Sequence, residues 1–182
     1  DNIWIQPAAG DAGGSLGAAL GFWHHELNKD RQINTNDSMK GAYLGPKFEN
    51  ESIEKELKLL KANFKKYTEE ELIDILAIEL SKEKIVGWFQ GRMEFGPRAL
   101  GGRSILADPR SEKIQKELNL KVKFRESFRP FAPSVLKEDV NNWFDLKKSS
   151  PYMLLVADIK KEIQISMTRD QENLFGIEKL NI

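Results

Sequence analysis

Apolar positions recur at helical spacing in several stretches of this chain and bunch into short runs between them. Leu16, Ala19, Leu20, Trp23 and Leu27 form an i, i+3, i+4 stripe, which predicts a helix starting near Ser15. Ile53, Leu57, Leu60 and Phe64 line one face of a second helix over 52–64. A third, over 68–80, opens on the capping box Thr68-Glu69-Glu70-Glu71. The run Ile85-Val86-Gly87-Trp88-Phe89 suits a buried strand. Ser111 can cap a further helix carrying Ile114 and Leu118, and a short helix near 138–144 is expected between strands at 133–136 and 152–159. At the start of the chain, Ile3 to Gln6 reads as a strand ended by Pro7, leading through a small-residue turn over 8–15 into the first helix. Helices and apolar strands alternate, so the expected class is α/β.

Residues 28–47 carry Asn, Asp, Gly and Pro without periodicity and read as a linker with a turn at Gly45-Pro46. This divides the chain into segments 1–45 and 46–182. The first segment opens on Asp1 and runs straight into apolar residues, which reads as a piece of something longer. At 40% apolar and 31% charged residues the composition is that of a globular domain. No apolar run approaches the roughly 18 residues of a membrane span, so no membrane partner is expected. Cysteine is absent, which excludes disulfides, thiolate zinc sites and cysteine nucleophiles and fits a reducing compartment. His24 and His25 are adjacent and do not share a helix face, so they do not form a two-histidine metal site.

The formal net charge is zero, yet the segment from Arg92 to Arg129 holds ten Lys or Arg against five acids and is therefore +5, with −5 elsewhere. Non-specific nucleic-acid binders spread basic charge over a face of a high-pI protein. Concentration in one region of a neutral chain favours a small anionic ligand.

That region begins with Gly91-Arg92-Met93-Glu94-Phe95-Gly96-Pro97-Arg98-Ala99-Leu100-Gly101-Gly102-Arg103-Ser104-Ile105-Leu106-Ala107-Asp108-Pro109-Arg110. Guanidinium groups match phosphate or carboxylate bidentately, and glycine lets backbone N–H groups approach the same ligand. Ser104 adds a hydroxyl donor. The alternative is that the arginines pair with Glu94, Asp108 or Asp11 as structural salt bridges. Glu94 is read as orienting an arginine rather than as a base. In the second basic stretch, Lys123 to Pro133, strand alternation would place Phe124, Glu126 and Phe128 on one face and Lys123, Arg125, Ser127 and Arg129 on the other. Its phenylalanines are read as core. The early glycine turn, Gly10 to Gly17, is neither a Walker loop nor a good dinucleotide fingerprint. Asp11 within it either binds a metal or ligand hydroxyl or caps the following helix.

Taken together, Pro7-Ala8-Ala9-Gly10-Asp11-Ala12-Gly13, Tyr43-Leu44-Gly45-Pro46, the arginine loop and Phe128-Arg129-Pro130-Phe131-Ala132-Pro133 resemble the O-carbamoyltransferases of nodulation-factor and antibiotic biosynthesis. The resemblance implies that residues 1–45 end an actin/Hsp70-type domain as a strand-helix remnant. Residues 46–182 would be an incomplete YrdC-like domain, a twisted sheet with flanking helices. It implies a cytoplasmic enzyme that uses carbamoyl phosphate and ATP to make carbamoyl adenylate and passes the carbamoyl group to a hydroxyl of a small-molecule acceptor. Arg98, Arg103 and Ser104 would be catalytic. Arg92, Arg110, Lys123, Arg125 and Arg129 would join them in binding carbamoyl phosphate and ATP, and Gly13 and Gly14 would meet the nucleotide. Asp11 would serve a divalent metal, Mg or Fe, only together with upstream histidines from the rest of the parent enzyme. The alternative readings are an RNA-binding module of YrdC type and a fragment whose arginines only dock domains.

Overall fold

The computed structural model describes residues 5–179. They form helices and a two-stranded antiparallel sheet, and the chain divides into two compact units. The first comprises the chain up to Asp74 with Gly87–Ile105 and Pro151–Leu154; the second comprises Ile75–Val86, Leu106–Ser150 and the chain from Leu155.

In the first unit, α1 spans Asp11–Gly21 and continues as a wider π turn over Phe22–Glu26. The helix therefore starts four residues before the expected Ser15, and the supposed glycine turn supplies its first turn. Gly13 explains this. Its amide donates to Ala8 O at 2.9 Å, and a Cβ there would lie 2.5 Å from that same oxygen, so only glycine lets the helix begin against residues 6–8. Of the strand expected over 3–6, Ile3 and Trp4 lie outside the described residues, while Ile5 and Gln6 are not in a strand. Helix α2 spans Asn50–Leu59. It stops short of Phe64 because Lys61 turns left-handed (φ 52°), with Ala62 N–H reaching Leu57 O at 2.9 Å and Lys61 N–H reaching Lys58 O at 3.1 Å. That pair of bonds is a Schellman motif built without glycine, which is why the boundary is hidden in the sequence.

Helix α3, Glu69–Ser81, opens as its capping box predicts: Glu71 N–H donates to Thr68 Oγ1 at 3.3 Å and Thr68 N–H to Glu71 Oε2 at 2.8 Å. Strand β1, Val86–Phe89, falls within the expected apolar run and pairs with β2, Arg103–Leu106, so the arginine-rich segment is the long connection of a hairpin. Residues 151–154 join the first unit through Tyr152, whose hydroxyl donates to the Asp37 carboxylate and accepts from Gly41 N–H at 3.1 Å.

In the second unit, α4 (Ile114–Glu117) continues as a π turn over Leu118–Val122, and α5 spans Val140–Trp143. A short α6, Arg169–Glu172, carries a Thr168/Gln171 capping box. The strands expected at 133–136 and 152–159 do not form; the single bridge there joins Phe144 to Ile159. Residues 123–133 are irregular, and Phe124 sits at φ 50° with 85% of its surface exposed, so its expected core role is wrong. A positive φ at that residue ends the strand alternation on which the expectation rested.

Among the described residues, the buried polar side chains are Glu94 and Asn119, one in each unit. Each organises the basic segment around it.

Candidate functional site

The arginine loop is held from inside by Glu94. Its carboxylate accepts the N–H groups of Leu100 at 2.9 Å, Gly102 at 2.5 Å and Arg103 at 3.2 Å. Burial pushes the Glu94 carboxyl up, but the backbone N–H groups aimed at it outweigh that and hold it below the ordinary carboxylate value. Glu94 thus binds the Arg103 backbone rather than orienting a guanidinium.

From outside, residues 42–46 clasp the loop through a run of backbone bonds. Phe95 N–H donates to Ala42 O at 2.6 Å, Gly45 N–H to Met93 O at 2.9 Å, and Met93 N–H to Pro46 O at 3.0 Å. Tyr43 donates its hydroxyl hydrogen to Leu100 O at 2.6 Å, and its ring packs where Cβ atoms at Gly102 and Gly41 would stand. Burial, followed by the nearby Glu94 charge, pushes the Tyr43 phenol up. Two separate motifs, Tyr43-Leu44-Gly45-Pro46 and the arginine loop, are therefore one structural object.

The loop's arginines have different fates. Arg103 lies with its guanidinium carbon 3.4 Å from the centroid of the Phe89 ring and donates to Gln90 O at 3.0 Å, Gly102 O at 2.7 Å and Gly91 O at 3.1 Å. It fastens the two ends of the loop together. Arg92 donates to Gly45 O at 3.0 Å from an exposed position. Ser104 Oγ accepts from Gly101 N–H at 3.0 Å, closing the glycine turn, and keeps its own hydrogen for donation. Arg98 is exposed, and among the described residues no hydrogen bond or ion pair engages its guanidinium.

The remaining basic candidates belong to the second unit. Arg110 is the salt bridge of the alternative reading, paired with Asp108, whose carboxyl it holds down at about 2. Arg125 Nε donates to Asn119 Oδ1 at 2.7 Å, and its guanidinium lies 4.9 Å from the Phe131 ring centroid. Arg129 pairs with Glu126 at 2.8 Å. Lys123 is exposed, with no side-chain partner among the described residues. Asn119, fully buried, also donates to Ser127 O at 2.9 Å and Arg129 O at 2.8 Å, so one amide fixes the whole basic stretch. Sequence reading missed it, although an asparagine directly after Leu118 on an apolar helix face was a visible signal.

Asp11 is the exposed first residue of α1, followed in the same helix by Gly13 and Gly14. No group of three or more His, Asp or Glu side chains that could hold a metal occurs among the described residues. Among those residues no helix is long and apolar enough to cross a membrane.

An α/β chain whose hairpin connection displays a free arginine on a glycine-rich, internally braced loop has the makings of an anion site. The carbamoyltransferase C-terminus family model matches residues 77–172, more than half of the chain, and the protein belongs to that family. Nodulation protein NolO of Bradyrhizobium diazoefficiens is 40% identical over 165 residues, covering 88% of this chain and 29% of the relative. A 3'-hydroxymethylcephem-O-carbamoyltransferase of Streptomyces clavuligerus is 41% identical over 87 residues, covering 48% and 16%. An uncharacterized protein of Synechocystis is 58% identical over 183 residues, all of this chain and 30% of that protein. The chain thus spans about a third or less of the length of these curated relatives.

Proposed function

We propose that this chain is the C-terminal part of an O-carbamoyltransferase that binds carbamoyl phosphate and ATP, with Arg98 as the residue that meets their negative charge. The observation that carries this reading is the contrast within the loop: Arg103 is tied to three carbonyls, Arg92 to one, and Arg98 to none among the described residues. A guanidinium with no internal partner, carried on a braced loop, is available to neutralise an anion. In the second unit Lys123 is one of the cations without a side-chain partner among the described residues.

Water cleaves carbamoyl phosphate to carbamate and phosphate; a carbamate oxygen attacks the α-phosphorus of ATP and expels pyrophosphate. The acceptor hydroxyl oxygen then attacks the carbamoyl carbon, loses its proton, and AMP leaves. The protein's task is positioning and charge neutralisation, which suits arginine. The YrdC-like architecture over 46–182, the actin/Hsp70-type remnant over 1–45 and a cytoplasmic setting belong to the same reading. So does a metal held in the full-length enzyme with Asp11 as one ligand. The cephem relative, named for carbamoyl transfer to a hydroxymethyl group, supports a small hydroxyl-bearing acceptor.

The test is carbamoyl-phosphate-dependent pyrophosphate release by the full-length enzyme carrying Arg98→Ala. A fall of about 100-fold or more is expected with the thermal midpoint unchanged. Unaltered release overturns the assignment.

A further inference from the structure

The peptide groups around Leu100 are held from both sides, its N–H by the Glu94 carboxylate at 2.9 Å and its C=O by the Tyr43 hydroxyl at 2.6 Å. Leu100 lies two residues beyond Arg98, within a turn bounded by Gly96 and Gly101, both at φ 114°. In glycine-rich anion loops the backbone N–H groups usually cradle the ligand. Here the four that follow Ala99 are already engaged: Leu100, Gly102 and Arg103 donate to Glu94, and Gly101 donates to Ser104. An arriving anion therefore meets the Arg98 guanidinium rather than the amides of Leu100 to Arg103.

We infer that Glu94 and Tyr43 are positioning residues for substrate binding: Glu94 is an internal anion that fills the amide cradle, and Tyr43 locks its rim, so that the turn presents Arg98 outward to the anionic substrate. The inference rests on the proposed function, in which Arg98 receives that substrate. Neither residue takes part in the chemistry. Loosening the turn makes the substrate reorder it on binding, a cost borne equally by the bound substrate and the transition state. Such a change raises KM and leaves kcat in place.

The experiment uses the full-length enzyme and pyrophosphate release, comparing Tyr43→Phe, Glu94→Gln and Arg98→Ala. Tyr43→Phe removes one hydroxyl, and Glu94→Gln keeps an acceptor oxygen while removing the charge. Each is expected to raise the KM for carbamoyl phosphate about tenfold with kcat within about twofold of the parent. If Arg98→Ala abolishes release while Tyr43→Phe and Glu94→Gln keep the parental KM, the positioning roles are wrong and the proposed function stands. If Arg98→Ala leaves release unchanged, the proposed function itself falls, and this inference with it. A drop in kcat at unchanged KM, in protein titrated for active sites, also overturns the positioning roles. Should Glu94→Gln fail to fold, Tyr43→Phe decides the matter alone.

Discussion

The amide of Gly102 donates to the carboxylate of Glu94 at 2.5 Å, eight residues back along the chain. This bond, with those from Leu100 and Arg103, makes a negative charge the centre of a loop whose sequence advertises positive charge. Glu94 is only 6% exposed, so its charge is matched by backbone dipoles rather than by a cation.

A pH dependence follows. Burial raises the Glu94 carboxyl, and the amides of Leu100, Gly102 and Arg103 together with its own more than offset it, leaving the folded value below the ordinary 4.5. Its contribution to stability is therefore complete above about pH 4.5 and is lost as the pH falls through the lower folded value. Thermal unfolding of the parent and of Glu94→Gln across pH should show the largest gap at neutral pH, closing in acid. A gap that is constant with pH contradicts this account.

Arg103 and Arg98 should behave oppositely in stability. Arg103→Lys keeps the charge but forfeits the planar fork on three carbonyls and the stack on Phe89, and a loss of about 1–3 kcal/mol is expected in urea unfolding. Arg98→Ala should stay within about 0.5 kcal/mol of the parent.

Gly13 and Gly14 are neighbours in one helix with unlike surroundings. A Cβ at Gly14 meets nothing within 4 Å, whereas at Gly13 it would lie 2.4 Å from Gln6 Oε1 and 2.5 Å from Ala8 O. Gly14→Ala is expected to stabilise by about 0.5–1 kcal/mol through helix propensity. Gly13→Ala is expected to cost about 1–3 kcal/mol through the clash with Ala8 backbone. Calorimetry of both variants checks the pair.

In the second unit, Asn119→Leu keeps the branched shape while stranding the carbonyl of Ser127 and the Nε of Arg125 and leaving the Arg129 carbonyl to Gln115 alone. A cost of about 2–4 kcal/mol is expected. Gln115 reaches the Phe128 and Arg129 carbonyls at 3.4 and 3.2 Å from an exposed position, so Gln115→Ala should cost about 0.5 kcal/mol or less. Urea denaturation of the two variants separates the buried amide from the exposed one.

What the sequence determined by itself was local. The Thr68 capping box, the apolar run that became β1, the helix carrying Ile114 and Leu118, and the wording of the arginine loop each depend on residues a few positions apart. The family was readable for the same reason, since its motifs are contiguous strings. The tertiary structure decided the rest. Apolar runs at 133–136 and 152–159 resembled strands, but a strand exists only where a distant segment supplies a ladder, and the single bridge found there is Phe144 to Ile159. Strand β2 lay hidden in a motif that read as loop, because its partner β1 stands across a long connection. The contrast between a tied Arg103 and a free Arg98 arises from three-dimensional proximity to Phe89, Gln90 and Gly91. The hold of Tyr43 on Leu100 spans 57 positions of chain, a separation over which no local pattern specifies which groups will meet. Short-range hydrogen bonding and side-chain periodicity are written in neighbouring residues, whereas the satisfaction of buried polar groups such as Glu94 and Asn119 is settled only when distant backbone closes around them.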